Sequence, residues 1–207
     1  MCIGISQMPH FNRGGETIMN YYISDTHFGH ENIIKHDANN GCRQFSSIEE
    51  HDNLIIENWN RVVTPQDNIY ILGDFSWLYA RETEELIKKL NGAKFLIKGN
   101  HDRWCKDGAC KKLFQGIYDY KTIQDGDKMV VMSHYPIMFY QSQHRGSILL
   151  YGHVHQTREE KLFQDACKYI SDTTDIPMNC CNVGCMLWDY TPVTLKQILE
   201  KEKRINK

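Results

Sequence analysis

The fold of this chain is decided by the stretch Lys94-Phe95-Leu96-Ile97-Lys98-Gly99-Asn100-His101-Asp102-Arg103. Its apolar part, 95–97, has the length and composition of a buried strand. At Gly99 the run breaks into an amide, an imidazole, a carboxylate and a guanidinium in succession. In open α/β sheets, ligands bind at the carboxyl ends of the strands. The stretch therefore predicts a strand that delivers polar side chains to a binding site.

Four other apolar runs also have the pattern of a strand. Each is followed by polar residues of the types that bind metal ions. They are 21–24 before Asp25 and His27, 68–72 before Asp74, 129–133 before His134, and 147–151 before His153 and His155. The members of the Asp/His pair and of the His/His pair are two positions apart, so on a continuing strand each pair would share one face. Five such strand ends along one chain indicate a shared site.

The order of predicted elements indicates an α/β fold with two sheets. The first hundred residues alternate strands at 21–24, 68–72 and 93–98 with helices at 31–36, 47–63 and 81–90. This alternation is typical of a parallel sheet. The second half has shorter strands, which indicates a second sheet. We predict its strands at 117–123, 128–132, 147–151 and 180–188, and helices at 106–114, 159–169 and 194–204.

The chain has 207 residues, of which 41% are apolar, and a formal net charge of −2. This composition predicts one globular domain over 19–207. An unstructured, dispensable extension is expected over 1–18. The charge balance gives no basic footprint, so we expect no stable binding of duplex nucleic acid. No apolar run reaches transmembrane length, and the eight cysteines form no CxxC pair, so we expect a cytoplasmic protein with reduced thiols and no membrane contact.

The strand ends supply seven candidate metal ligands, with oxygen and imidazole donors and no thiolate. Such a donor set suits manganese, iron, zinc, nickel or cobalt. Seven ligands are too many for one tetrahedral ion and suit two ions that share a carboxylate. The seven candidates are Asp25, His27, Asp74, Asn100, His134, His153 and His155.

The chain resembles the calcineurin-like binuclear metallophosphoesterases. The motifs of that family are D-x-H, GD, GNH(D/E), H and GHxH, and they occur here in that order at 25–27, 73–74, 99–102, 134 and 152–155. The resemblance implies two packed β-sheets flanked by helices, a four-layer αββα sandwich. Its small bacterial and phage-type members share the opening Ser-Asp-Thr-His-Phe-Gly-His, which stands here at 24–30.

The resemblance also implies a role for each motif residue. Asp25, His27 and His155 would bind one ion, Asn100, His134 and His153 the other, and Asp74 both. A hydroxide that bridges the two ions would attack phosphorus. His101 would act as general acid beside the phosphate, and Asn100 would also face the developing charge.

The range of possible substrates is narrower because this chain lacks features of other branches of the family. Gly73-Asp74 is not followed by the Asp-Arg-Gly of protein phosphatases, and the chain has no room for the capping domain of the repair nucleases. We therefore predict hydrolysis of phosphodiesters of nucleotides or similar small molecules. Alternatives are a nuclease on short single strands, a phosphomonoesterase, and a catalytically silent metal-binding scaffold.

Side chains near the motifs are candidate substrate contacts. Each is as well explained by an ordinary surface or ion-pair role. They are His30, Arg103, His144 and Arg145. Aromatic residues that follow the motifs are candidates for stacking on a base, although packing is the commoner role. They are Phe75, Trp77, Trp104, Phe139 and Tyr140. The sequence does not indicate whether the segment 156–178 covers the site.

Overall fold

The structure, a computed structural model, describes residues 17–38 and 42–205, with side chains to residue 201. Most of the predicted extension over 1–18 lies outside that range. The described residues form nine strands. They are β1 Asn20–Ile23, β2 Asn68–Ile71, β3 Ala93–Ile97, β4 Phe114–Tyr118, β5 Tyr120–Asp125, β6 Lys128–Ser133, β7 Ile148–Tyr151, β8 Cys180–Asn182 and β9 Val193–Thr194.

The same part of the chain contains six α-helices. They are α1 Glu31–Ala38, α2 Ile48–Val62, α3 Ala80–Lys89, α4 Gly108–Lys111, α5 Arg158–Thr173 and α6 Leu195–Ile205. Three short 3-10 helices accompany them, at Arg103–Lys106, Gln143–Arg145 and Cys185–Leu187. None of the helices in the described ranges is long and apolar enough to cross a membrane.

The strands form two sheets. The first has the order β4-β3-β2-β1-β9, with β1 to β4 parallel and β9 antiparallel to β1. The second has the order β5-β6-β7-β8, in which only the β5–β6 pair is antiparallel. The parallel first sheet arises because its strands are linked through helices, as the alternating sequence predicts. The two-sheet α/β fold is therefore confirmed.

The layers follow from three apolar clusters. Helices α2 and α3 cover the outer face of the first sheet through Ile55, Trp59 and Leu86. Between the sheets, residues such as Tyr22 and Leu72 of the first half meet residues of β6 and β7. Helix α5 covers the outer face of the second sheet. The order is helix, sheet, sheet, helix, the predicted four-layer sandwich.

Three predicted elements need correction. The strand expected at 117–123 is two strands in different sheets, because the chain crosses from β4 to β5 at Asp119. The helix expected at 106–114 is only a 3-10 turn followed by α4, since Phe114 already belongs to β4 and packs on Trp104. The strand expected at 180–188 ends at Asn182, after which the chain turns into a 3-10 helix.

The segment 156–178 contains the helix that covers the outer face of the second sheet. Its helix α5 packs on the second sheet, where the Glu160 carboxylate accepts hydrogen bonds from the Tyr151 hydroxyl at 2.9 Å and from Asn182 Nδ2 at 3.1 Å. Cys167 of the same helix is buried in the outer apolar cluster. The segment therefore forms a structural layer.

Candidate metal centre

The carboxyl ends of the strands bring the seven predicted ligands into one cluster. Asp25, His27 and His155 form one group, in which the potential ligand atoms all lie within 4.8 Å of one another. A second group with the same property contains Asp74, His134 and His153. Each group combines residues that follow strands of both sheets. The site therefore depends on the way the two sheets pack.

The first group is built around the imidazole nitrogens of His27 and His155. Their Nε2 atoms are 3.2 Å apart, and Nε2 of His155 lies 3.7 Å from Asp25 Oδ1. The Asp25 carboxylate is held by the Ser24 hydroxyl at 2.6 Å and by the backbone N–H of His153 at 3.0 Å. The group thus presents two nitrogens and a fixed carboxylate to one point.

The second group is built around His134. Its Nδ1 is 2.8 Å from the carbonyl oxygen of Leu72 and donates to it, so in the neutral ring the lone pair of Nε2 faces the site. Nε2 lies 3.0 Å from Asn100 Oδ1 and 3.5 Å from Asp74 Oδ2. Asp74 Oδ2 also lies 3.8 Å from Nε2 of His27. One carboxylate oxygen therefore reaches a nitrogen of each group.

These separations fit divalent ions. Two atoms that bind one ion at about 2.0–2.2 Å lie roughly 3.0–3.5 Å apart at angles between square and tetrahedral. The atom pairs above span 3.0 to 3.8 Å, which requires only small adjustments. Burial acts to lower the pKa of His134, yet hydrogen bonding to Asp74 and the charges of Asp25 and Asp74 raise it to about 9. The cluster therefore has negative charge that a cation would balance.

Five of the seven candidate ligands have left-handed backbone, which L-residues rarely adopt. Their φ values are Asp25 55°, His27 48°, Asp74 49°, His153 72° and His155 45°. The expectation that Asp25 and His27, or His153 and His155, share a face of a continuing strand is therefore wrong. The strands end first, and tight turns direct the side chains inward. Such strain is concentrated at functional sites.

Glycine is required at position 99 because Asp74 lies very close to its Cα. A Cβ on Gly99 would collide with the side chain and backbone of Asp74. Beside it, the Asp102 carboxylate accepts hydrogen bonds from the backbone N–H groups of Gly99, Asp74 and Phe75, at 2.8, 3.0 and 2.9 Å. Burial raises the pKa of Asp102 to about 6 in spite of these bonds. Asp102 therefore joins the two strand ends that carry Asp74 and Asn100.

A second set of supporting residues is not marked by any motif. Asp37, at the end of α1, lies 3.1 Å from Nδ1 of His155. Arg43 is fully buried and pairs with Asp37 at 2.7 Å. Its guanidinium also donates to Nε2 of His51 at 2.6 Å and to the carbonyl oxygen of Asp25. The carboxylate that orients His155 is thus itself held by a buried cation.

His101 lies beside the centre but outside both groups. Its backbone N–H donates to Asp74 Oδ1 at 2.9 Å, and its ring centroid is 6.1 Å from that of His27. On the other side, the Tyr135 hydroxyl donates to Asn100 Oδ1 at 3.3 Å, and its ring is 4.4 Å from that of His153. Tyr135 was not predicted, although it directly follows His134. Its exposed fraction of 46% leaves the ring open to a substrate.

The candidate substrate contacts have different positions. Nδ1 of His30 lies 3.2 Å from Nδ1 of His27, so His30 is at the centre. Arg103 is exposed two residues after His101. His144 and Arg145 precede β7, whereas the ligands follow its carboxyl end, about 13 Å away at the usual rise per strand residue. We therefore remove His144 and Arg145 from the candidate contacts.

The aromatic residues that were candidates for stacking on a base also differ in position. Phe75, Trp104 and Tyr140 are buried in the apolar clusters and pack the fold. Trp77 and Phe139 are exposed to 44% and 69%. Of these two, Trp77 contacts the site, because its ring centroid is 4.3 Å from that of His101. Base stacking by the three buried residues is excluded by their position.

Comparisons with known proteins agree with this geometry. An uncharacterized protein of Methanocaldococcus jannaschii is 32% identical over 183 residues, which cover 87% of this chain and 89% of that protein. The gene 66 protein of Mycobacterium phage L5 is 29% identical over 167 residues, covering 65% of this chain and 76% of its own length.

Among solved structures, a protein of unknown function from Aquifex aeolicus superposes with a TM-score of 0.68 and 32% identity. The superposition covers 89% of this chain and 99% of that one. The sequence profile of the calcineurin-like phosphoesterases matches residues 21–203. That range contains all five motifs and both ligand groups. The chain therefore belongs to the calcineurin-like phosphoesterase family.

Proposed function

We propose that this chain is a binuclear phosphodiesterase that hydrolyses phosphodiesters of nucleotides or similar small molecules. Membership of the family supports metal-dependent hydrolysis of phosphate esters in general. The observation that carries the finer proposal is the position of Asp74 Oδ2, within 3.8 Å of a nitrogen in each ligand group. A carboxylate shared in this way favours two ions over one.

In this proposal Asp25, His27 and His155 hold one divalent ion, Asn100, His134 and His153 hold the other, and Asp74 touches both. Such a pair of ions supplies an activated water and neutralises the charge of the phosphate. The oxygen and imidazole donors suit manganese, with iron, zinc, nickel or cobalt as alternatives. The protein contributes fixed positions, since the left-handed turns and the Asp37, Asp102 and Ser24 bonds restrain the ligands.

His101 has the position of a general acid. It lies next to the ligand groups without belonging to either, and the residue is partly exposed. A protonated imidazole there would give its proton to the departing oxygen of the ester. Asn100 and Tyr135 lie on the opposite side, where an amide N–H and a hydroxyl would bind phosphoryl oxygens. The two sides together would hold the phosphate between donors.

The substrate preference rests on the shape of the opening. The described loops around the centre leave Trp77 and Tyr135 half-exposed. A diester, which has a group on each side of phosphorus, needs such an open site. We infer a single domain over 19–207, and the buried thiols of Cys105, Cys110 and Cys185 favour a reducing compartment such as the cytoplasm.

The direct test is an ester panel. Chelator-treated protein should hydrolyse bis-p-nitrophenyl phosphate only after manganese, or another divalent ion of the series, is added back. Release from p-nitrophenyl phosphate alone would contradict the diesterase and support a phosphomonoesterase. Cleavage of short single-stranded oligonucleotides in preference to mononucleotide diesters would support a nuclease. Turnover of none of these with any ion would contradict the enzyme and favour a scaffold.

Two variants separate the roles within the centre. Measured on a diester with a phenol leaving group, whose departure needs protonation, His101→Ala should keep its bound ions and lose activity by about a hundredfold to ten-thousandfold, the usual contribution of an acid or base. Asp74→Ala should lose both ions and activity together. Metal content after gel filtration and kcat/KM give the two readouts. The control is Asp165→Ala, which removes an exposed ion pair with Lys161 on α5. Normal turnover by His101→Ala would contradict the acid role.

A further inference from the structure

The ring of Trp77 lies between two imidazoles of the site. His30 stacks on it with a centroid distance of 3.9 Å and an interplanar angle of 4°. The His101 ring lies 4.3 Å from the same indole at 45°. His30 therefore lies flat on one face of the indole, whereas the His101 ring contacts the indole at a tilt.

The backbone that carries Trp77 is anchored. Its N–H donates to the carbonyl oxygen of Phe28 at 2.8 Å, and its neighbour Ser76 pairs with Phe28 in a short parallel bridge. The Ser76 hydroxyl lies 3.0 Å from that of Thr83 on α3. Phe28 and Ser76 are buried. The indole therefore projects from a rigid base, although 44% of the residue is exposed.

The ring of His101 depends on this indole for its orientation. Within the described part of the chain, the His101 imidazole makes no hydrogen bond. Its ring contacts are with His27 at 6.1 Å and with Trp77 at 4.3 Å. Only its backbone is tied to the centre, through Asp74. The closest restraint on the imidazole is thus the face of Trp77.

We propose that Trp77 is a positioning residue for His101, and this inference rests on the proposed acid role of His101. Proton transfer requires the acid to lie within hydrogen-bond reach of the leaving oxygen, and small displacements are costly. A ring that is free to rotate about its side-chain bonds would spend much of its time out of reach. The indole face on which His30 stacks is not available for stacking on a nucleobase.

The kinetic test compares leaving groups. Trp77→Ala should lower kcat at least tenfold for a diester with a phenol leaving group, which needs protonation. For the 4-nitrophenyl diester, whose leaving group departs readily as an anion, the loss should be below about threefold, because acid catalysis matters less there. Trp77→Phe, which keeps a ring, should recover most of the activity. The control is Tyr79→Ala, an 84% exposed aromatic two residues further along the same loop.

A double-mutant cycle decides whether Trp77 acts through His101. If it does, Trp77→Ala should have little further effect on a protein that already carries His101→Ala. Additive losses would overturn the proposal. A rise in KM of Trp77→Ala with equal effects on all leaving groups would also overturn it, since that pattern indicates direct binding of substrate by the indole.

A measurement that needs no substrate tests the position of the His101 ring independently of the proposed function. In proton NMR spectra, the indole at 4.3 Å should displace the His101 ring signals by its ring current. The signals, assigned by their absence from His101→Ala, should move toward those of free histidine in Trp77→Ala and stay in place in Tyr79→Ala. Unchanged signals in Trp77→Ala would overturn the proposal. Failure of the wild-type protein to hydrolyse any ester would contradict only the proposed function.

Discussion

At the scale of single residues, the ligands were predictable because each follows an apolar strand directly. Asp74 and His134, for example, stand three positions beyond β2 and one position beyond β6, where the local pattern changes from apolar to polar. The left-handed backbone of Asp74 and of four other ligands was not predictable, because nothing in the residue types requires it. The turns are imposed by the packing of the strand ends against one another.

Asp37 and Arg43 were missed for a different reason. They come from the end of α1 and the loop before α2, so no strand pattern points to them. Their role arises from contacts between distant parts of the chain, since Asp37 and His155 are 118 residues apart. A charged residue within a polar segment is usually at the surface. Only the packed structure shows that Arg43 is fully buried.

The Asp37 carboxylate should control the affinity of the first ion. Asp37→Asn removes the charge that orients His155 and pairs with Arg43, and losses of such supporting groups typically weaken metal binding by about 10–100-fold. Calorimetric titration of stripped protein with Mn²⁺ should show one of two binding steps weakened and the other retained. Asp165→Asn, an exposed acid on α5, should leave both steps unchanged. Equal affinities in Asp37→Asn and wild type would refute this role.

At the scale of elements, the apolar strand patterns and the turn residues predicted most strands of the two sheets. Asp125-Gly126 is a hairpin signal in the sequence, and β5 and β6 do form a hairpin there, with Asp125 opposite Lys128. The break at Asp119 was missed because an apolar pattern indicates a strand without indicating its sheet. β4 and β5 are nearly continuous in sequence, and only the packing of the two layers separates them.

The hairpin turn gives a test of local backbone preference. Gly126 has a φ of +60° and open space around its Cα, so Gly126→Ala should destabilise by about 1 kcal/mol through backbone strain alone. Gly108 also has open space and no left-handed φ, and it opens α4. Gly108→Ala should therefore be neutral or stabilising. The urea unfolding midpoint should fall in Gly126→Ala and should stay the same or rise in Gly108→Ala. A shift of the same sign in both would contradict the argument.

At the scale of the whole molecule, the centre lies where the two sheets meet. Asp25, His27, Asp74 and Asn100 follow strands of the first sheet, and His134, His153 and His155 follow strands of the second. Each proposed ion would therefore bind across the interface. The family resemblance predicted this sandwich. The order of strand and helix patterns in the sequence indicated two sheets but not how they pack.

Bound ions should accordingly stabilise the entire fold. A ligand that binds only the folded state at 100 times its dissociation constant adds about 2.7 kcal/mol to the free energy of unfolding. For a domain of this size, that corresponds to an increase in Tm of roughly 5–10 °C. Thermal unfolding with Mn²⁺ and with a chelator measures the difference.

The response should vanish in Asp74→Ala, which loses the shared carboxylate, and persist in Asp165→Ala. If the chelator left the Tm of the wild-type protein unchanged, the ions would not bridge the sheets. An equal response in Asp74→Ala would place the stabilising ions elsewhere on the molecule.

The division of ligands between the sheets has a consequence for synthesis. A nascent chain that has left the ribosome up to Tyr118 contains β1 to β4, with Asp25, His27, Asp74 and Asn100, yet neither ligand group is complete. The missing histidines, His134, His153 and His155, belong to the second half of the sequence. Metal capture would thus come late in biogenesis, and an ion held tightly would mark a chain whose two halves have already come together.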